Sequence, residues 1–184
     1  MAKRVKFNIK NVHYAKLTIG DNNAVSYGTP VAIPGAVNLS LDPEGDNSIF
    51  WADGERYYES YANNGFSGNL EVAELVDSFK QDILGYVKDA TTGKLTEFSD
   101  VEPERFALLF QMDGSPEKTR FVFYNVLPSR ENVEAETTTE TKEPKTESIN
   151  ISAASLPNGA VRSVVHESDA AYANWFESVT VPTK

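Results

Sequence analysis

Three groups of residues have the types and spacing for chemistry. They are Ser163, His166 and Asp169, the pair Gly93-Lys94, and the acidic run Asp42-Pro43-Glu44-Gly45-Asp46-Asn47 with Asp53 at its twelfth position. The first offers a nucleophile, a base and an orienting carboxylate, as acyl transfer requires. Such triads are assembled in space, however, and no Gly-x-Ser-x-Gly elbow accompanies these residues. His166 reads instead as an ordinary residue at the end of a strand. A phosphate-cradling loop needs glycine five positions before Gly93 and a hydroxyl after Lys94, where this chain has Lys88 and Leu95. Gly93 therefore reads as a turn. The acidic run places oxygen donors at the first, third, fifth and twelfth places of a calcium loop. Asn47 stands where that loop needs glycine, and the flanks read as strands, so an exposed acidic turn is the plainer reading.

The remaining chemistry is sparse. His13 is the only other histidine and cysteine is absent, which removes thiol nucleophiles, disulfides and the usual zinc sets. The 27 carboxylates supply many pairs for glycoside hydrolysis and single out none. No enzyme activity, cofactor or metal is expected. More informative is an aromatic group at Phe50, Trp51, Tyr57, Tyr58, Tyr61 and Phe66. Aromatic rings stack on sugars, pack inside a fold, or fill the core of a subunit contact. No polar motif accompanies them, so packing or a contact between subunits is the preferred reading.

The elements that must position these residues have a dominant period of two, the signature of strands. In 36–42, Val37, Leu39 and Leu41 alternate with Asn38, Ser40 and Asp42. In 66–72, Phe66, Leu70 and Val72 share a face, with Gly68 placed for a bulge or a close contact. Phe106–Phe110 and Phe121–Leu127 are apolar on both faces and suit central strands covered on both sides. Turns are expected at Asp53-Gly54, Asn64-Gly65, Thr92-Gly93, Asp113-Gly114 and Asn158-Gly159. One helix is expected over 74–84, with Leu75, Val76, Phe79 and Ile83 on one stripe, Glu74 and Asp77 near its start, and Gly85 to stop it. A shorter helix at 168–176 would be capped by Ser168 and carry Tyr172, Trp175 and Phe176 on one face. Val133, Ala135, Thr137, Thr139 and Thr141 alternate with Glu134, Glu136, Thr138, Glu140 and Lys142, and Glu147, Ile149, Ile151 and Ala153 alternate with Thr146, Ser148, Asn150 and Ser152. This pattern favours a long hairpin at about 131–156 over a solvated linker.

Composition bounds the rest. The chain has 184 residues, enough for one domain without metal or disulfide support. A net charge of −10 opposes a surface that grips DNA, which needs clustered cations. No run approaches 18 apolar residues and no apolar segment follows the charged N-terminus, so no membrane span or secretory signal is read and synthesis in the cytoplasm is expected.

The order of features has a family likeness. Gly35-Ala-Val-Asn-Leu-Ser-Leu-Asp-Pro-Glu-Gly45 leads to Phe50-Trp-Ala-Asp-Gly54 and tyrosines, then to Asn64-Gly65-Phe66-Ser67-Gly68-Asn69-Leu70-Glu71-Val72 before the helix. With Asn11-Val-His-Tyr-Ala15, Glu143-Pro-Lys-Thr-Glu147 and a closing aromatic cluster with Val-Thr-Val-Pro, this resembles the major tail proteins of long-tailed phages of Gram-positive bacteria. The likeness spans nearly the whole chain. It implies a mainly β fold with one flanking helix, a β-sandwich or half-barrel, as a single domain with an N-terminal arm at about 1–12. It also implies a structural virion protein, synthesised in the host, whose subunits close into rings, usually of six, and stack into a tube that conducts DNA without specific binding. Expected partners are further copies, the tape-measure protein, a tail terminator and distal tail or baseplate proteins. The Ig-like C-terminal domain that some members carry is not expected, since the chain stops at Lys184. The lumen face is expected at Glu134, Glu136 and Glu140, and contacts between subunits or rings at Phe50, Trp51, Tyr57, Tyr58 and Tyr61. The competing expectation is a β-sandwich carbohydrate-binding module that stacks sugars on Trp51, Tyr57 or Tyr61.

Overall fold

The computed structural model describes residues 5–135, 137 and 144–183. Its elements are β1 (Val5–Ile19), β2 (Val25–Tyr27), β3 (Val31–Ala32), β4 (Ala36–Glu44), β5 (Asn47–Ala52), β6 (Glu55–Tyr61) and β7 (Gly65–Val72). They continue with helix α1 (Asp77–Asp82), β8 (Val87–Lys88), β9 (Leu95–Thr96), β10 (Phe106–Ser115), β11 (Thr119–Pro128), β12 (Glu147–Ala154) and β13 (Arg162–His166). Among the described residues the fold is mainly β, with one large antiparallel sheet and one α-helix. Among the described residues that sheet runs β2-β1-β10-β11-β12-β7-β4, with β13 also paired to β11 and β3 to β1. The sheet rolls until β1 and β4 approach each other, yet no ladder joins them.

The period of two sets the layers. Along β1, β10 and β11, Val12, Tyr14, Phe106, Leu108, Phe121 and Phe123 point to one side, into a core shared with Leu70, Val72 and Ile149. Ala15, Leu17, Ala107, Leu109, Val122 and Tyr124 point to the other side, beneath Trp175, Phe176, Val179 and Val181 of the C-terminal segment. The two apolar runs are thus central strands covered on both faces.

Helix α1 plugs the rolled side. Phe79 is fully buried, with its ring edge-on to Tyr14 at 5.2 Å and to Phe106 at 5.4 Å. The helix is shorter than its apolar stripe predicts. Leu75 is buried, but it lies in extended chain because its N–H donates to Glu147 Oε2 at 2.8 Å. A contact distant in sequence therefore overrides local propensity at the start. Gly85 ends the helix at φ 75°, and the Tyr86 N–H returns to the Lys80 carbonyl at 2.9 Å.

Other expectations are corrected. Residues 5–12, expected in an arm, form the first half of β1 and pair with β10. Asp113-Gly114 lies inside β10, because Asp113 pairs with Phe7 and Gly114 with Lys6, extending the ladder past the expected turn. Residues 168–176 form a 3-10 turn at Ala170–Tyr172 rather than an α-helix, and Ser168 donates to Glu117 instead of capping. The 131–156 hairpin has a different partner. Its second arm is β12, with Ile149, Ile151 and Ala153 buried as the alternation requires, but β12 pairs with β11 and β7. Residues 131–135 and 137 are in no strand; residues 136 and 138–143 lie outside the described residues. The chain after β11 stays beside β12, with the Ser129 N–H donating to the Asn150 carbonyl at 2.8 Å and the Asn132 N–H to the Ser148 carbonyl at 3.4 Å.

Candidate functional site: an exposed aromatic hairpin

Residues 36–72 form one long antiparallel excursion. Its proximal half, β4 with β7, belongs to the large sheet. At the neck Asn64 N–H donates to the Glu44 carbonyl at 2.9 Å and Ala62 N–H to the Asp46 carbonyl at 3.0 Å. The ladder then continues as β5 with β6, which bond to no other strand among the described residues. Asp53-Gly54 closes the far end with φ of 53° and 81°, the left-handed pair that tight hairpin turns require. At about 3.3 Å per residue the arm reaches on the order of 20 Å beyond the sheet.

The arm holds the aromatic group. Phe50, Trp51, Tyr57, Tyr58 and Tyr61 are 59–75% exposed, whereas Phe66 stays with the sheet and packs on Phe123 at 5.2 Å. Residues opposed across a ladder share a face. Tyr61, Ile49 and Trp51 thus lie on one side with Asn47, Glu59 and Arg56, and Phe50 and Tyr58 on the other. A bulge between Phe50 and Trp51 leaves Tyr57 unpaired, and its ring meets Phe50 edge-on at 6.4 Å. Asn47 Nδ2 donates to Glu59 Oε1 at 2.8 Å and to the Tyr61 hydroxyl at 3.2 Å, and the Arg56 guanidinium lies 5.7 Å from the Trp51 ring. Asp46, Asp53, Glu55 and Glu59 face a single cation, Arg56. The arm is aromatic on both faces, acidic, and has no core behind it. An isolated two-stranded hairpin is marginal in water, and a contiguous exposed apolar patch marks a contact surface.

The other candidates do not assemble into sites. Ser163 and His166 are three apart on β13, so their side chains leave opposite faces. The Ser163 hydroxyl bonds the Tyr124 hydroxyl at 2.8 Å, and Asp169 accepts the His166 backbone N–H at 2.8 Å rather than its ring. His13 stacks on Phe176 at 4.6 Å. Lys94 sits in the β8–β9 turn, where Asp89 Oδ1 accepts the N–H groups of Thr91 and Thr92 and is held below the usual carboxylate range by those bonds. The calcium-like run is drawn out along β4 and β5, with Asp53 carried to the distal turn. Of the expected lumen residues, Glu134 is exposed, while Glu136 and Glu140 lie outside the described residues.

Two features went unread in the sequence. The outward faces of β4, β7 and β12 form a groove of about 720 Å³ lined by Ser40, Asp42, Ser67, Asn69, Asn150 and Ser152, with no basic residue in its lining. The signal was present in the polar member of each alternating pair, but nothing local placed the three strands side by side. Glu131 is tied down by Lys80 Nζ at 3.0 Å and by the Tyr86 hydroxyl at 3.0 Å. This anchors the start of the 129–146 connection to the helix.

Fold and site together define an antiparallel β protein that displays an aromatic hairpin. No family model matches the chain, and no curated protein matches it. Among the described residues no helix is long and apolar enough to cross a membrane.

Proposed function

We propose that this protein is a structural subunit that assembles with copies of itself, a tail-tube protomer of the kind its sequence resembles. The observation that carries the reading is the arm, whose five large aromatic side chains are exposed on both faces. Burying them against neighbours removes that cost, and an obligate interface of this kind covers on the order of 2,000 Å² or more. A mainly β fold with one flanking helix, buried through Phe79, supports the half-barrel that the resemblance implies. Rings, six-fold as the resemblance implies, would stack into a tube, with tape-measure, terminator and baseplate proteins as further partners. The groove on β4, β7 and β12, together with Glu134, offers DNA hydroxyls, amides and carboxylates but no cationic grip, so a polyanion would pass without binding.

Electron microscopy and sedimentation of the purified protein test this. Rings or polymers are the expected result. A monomer at all concentrations that binds sugar saturably through Trp51, Tyr57 or Tyr61 would replace this reading with the carbohydrate-binding one.

A further inference from the structure

Where β1 and β4 approach without pairing, the rolled sheet has an open seam. Both strands are irregular here. Asn8 and Asn11 in β1 have φ of 61° and 52°, and the β4 register shifts between Ala36 and Asn38. The cavity at the seam is about 450 Å³ and reaches the core aromatic cluster, with Phe66, Phe110, Phe121, Phe123 and Met112 in its wall and Arg162 at its edge. The Arg162 guanidinium lies 5.1 Å from the Phe66 ring, and Lys6 Nζ lies 4.9 Å from the Phe121 ring. Neither cation has an ion pair among the described residues, as is also true of Lys94, Arg105 and Arg120. An aromatic-walled cavity with Arg162 in its lining and Lys6 against its Phe121 ring suits an aromatic group flanked by carboxylates.

The same chain presents that chemistry on its arm. Trp51, Tyr57 and Tyr58 stand beside Asp53, Glu55 and Glu59. The arm cannot fill its own seam. It leaves the sheet at Glu44 and Gly65, just past the cavity-lining Leu41 and Phe66, and its ladder runs on away from β4 and β7. We infer that the seam between β1 and β4 receives the aromatic, acidic arm of a second copy. The contact is head-to-tail, so each copy both donates an arm and accepts one, which builds rings or stacks rather than closed dimers. This rests on the self-assembly proposed above and names the surface that completes it.

A charge-exchange cycle tests the docking, with association constants measured by sedimentation. Glu55→Lys with Glu59→Lys alters the arm, and Lys6→Glu with Arg162→Glu alters the seam, all at exposed or rim positions. Each pair alone is expected to weaken association tenfold or more, and all four in one chain to restore it to within about threefold of the unaltered protein. Trp51→Ala with Tyr58→Ala should weaken it at least as much, at an unchanged melting temperature. An assembling protein in which the four changes act additively overturns the docking and leaves the proposed function standing. A protein that never associates overturns both. Saturable binding of decanoate at the seam, with assembly indifferent to the arm changes, assigns the cavity to a small amphiphile and also overturns the docking.

Discussion

At the scale of single residues, the tightest constraint is Gly68. A Cβ there would lie 1.8 Å from the Ser40 carbonyl oxygen, a backbone atom that cannot move without breaking the β4–β7 ladder. Gly68→Ala should therefore separate these strands and destabilise the fold by several kcal/mol, on the order of a disrupted core, measured as a lowered urea midpoint. Titration gives a second prediction. Burial pushes the Tyr14 phenol up to about 12, aided by Asp82, whose Oδ2 accepts a hydrogen bond from the hydroxyl at 2.8 Å. Burial also pushes Tyr86 up to about 12, aided by the hydrogen bond to Glu131, and raises Tyr27 and Tyr124. Lys80 is shifted upward as well: burial opposes its charge, but the hydrogen bond to Glu131 and the nearby carboxylates outweigh it.

All five groups hold their protons more tightly when folded than at the ordinary values near 10.0 and 10.5. The folded state binds more protons between the two sets of values, so stability falls as pH rises there. Their contribution should be intact below about pH 10 and lost between about pH 10 and 12. A melting temperature that is flat from pH 7 to 9.5 and drops steeply above checks this. Tyr14→Phe should lower stability at pH 7 by about 0.5–1.5 kcal/mol, through loss of the Asp82 bond, and make the alkaline slope shallower.

At the scale of elements, helix α1 and the arm carry similar side chains with opposite duties. Phe79 touches Tyr14 and Phe106 inside the rolled sheet and sees no solvent. Phe79→Ala should cost about 3–5 kcal/mol in urea unfolding. Trp51→Ala, on an arm with no core behind it, should cost the monomer less than about 0.5 kcal/mol while weakening assembly. The arm's amides should exchange fastest among strand amides in the free chain and become protected on assembly. The sequence pattern announced the helix and the turn at Asp53-Gly54, not the strands β5 and β6 that flank that turn, and it could not separate the duties of the two aromatic groups. Leu75, Val76, Phe79 and Ile83 make a stripe that reads as core, and the aromatic run at 50–61 reads equally as core or contact. Only the extension of β5 and β6 past the last strand to which they could pair leaves the second group in solvent.

At the scale of the whole molecule, the sign of the charge matters more than any one group. A net charge of −10 and a groove without basic lining should leave duplex DNA unretained in mobility-shift assays at low salt. Asp42→Lys with Glu134→Lys should spare assembly and bring measurable, salt-sensitive retention. Retention by the unaltered protein would count against a DNA-conducting lumen.

Val37, expected on one face with Leu39 and Leu41, is instead 50% exposed, where the β4 register shifts between Ala36 and Asn38. The sequence by itself determined the inward faces of β7 and β12 and where the chain must turn at Asp53-Gly54 and Asn158-Gly159. Those are local matters, fixed by the two-residue repeat of an extended chain and by the conformations a side chain permits. The tertiary structure decided what pairs with what. It gave β12 to β11 and β7, drew Leu75 out of the helix toward Glu147, continued β10 through Asp113-Gly114, and left β1 and β4 unjoined at a seam. Many ladders satisfy the same alternation, and the one that forms is the one that buries the most apolar surface across the whole chain. The open seam and the bare arm are what that choice leaves unpaired.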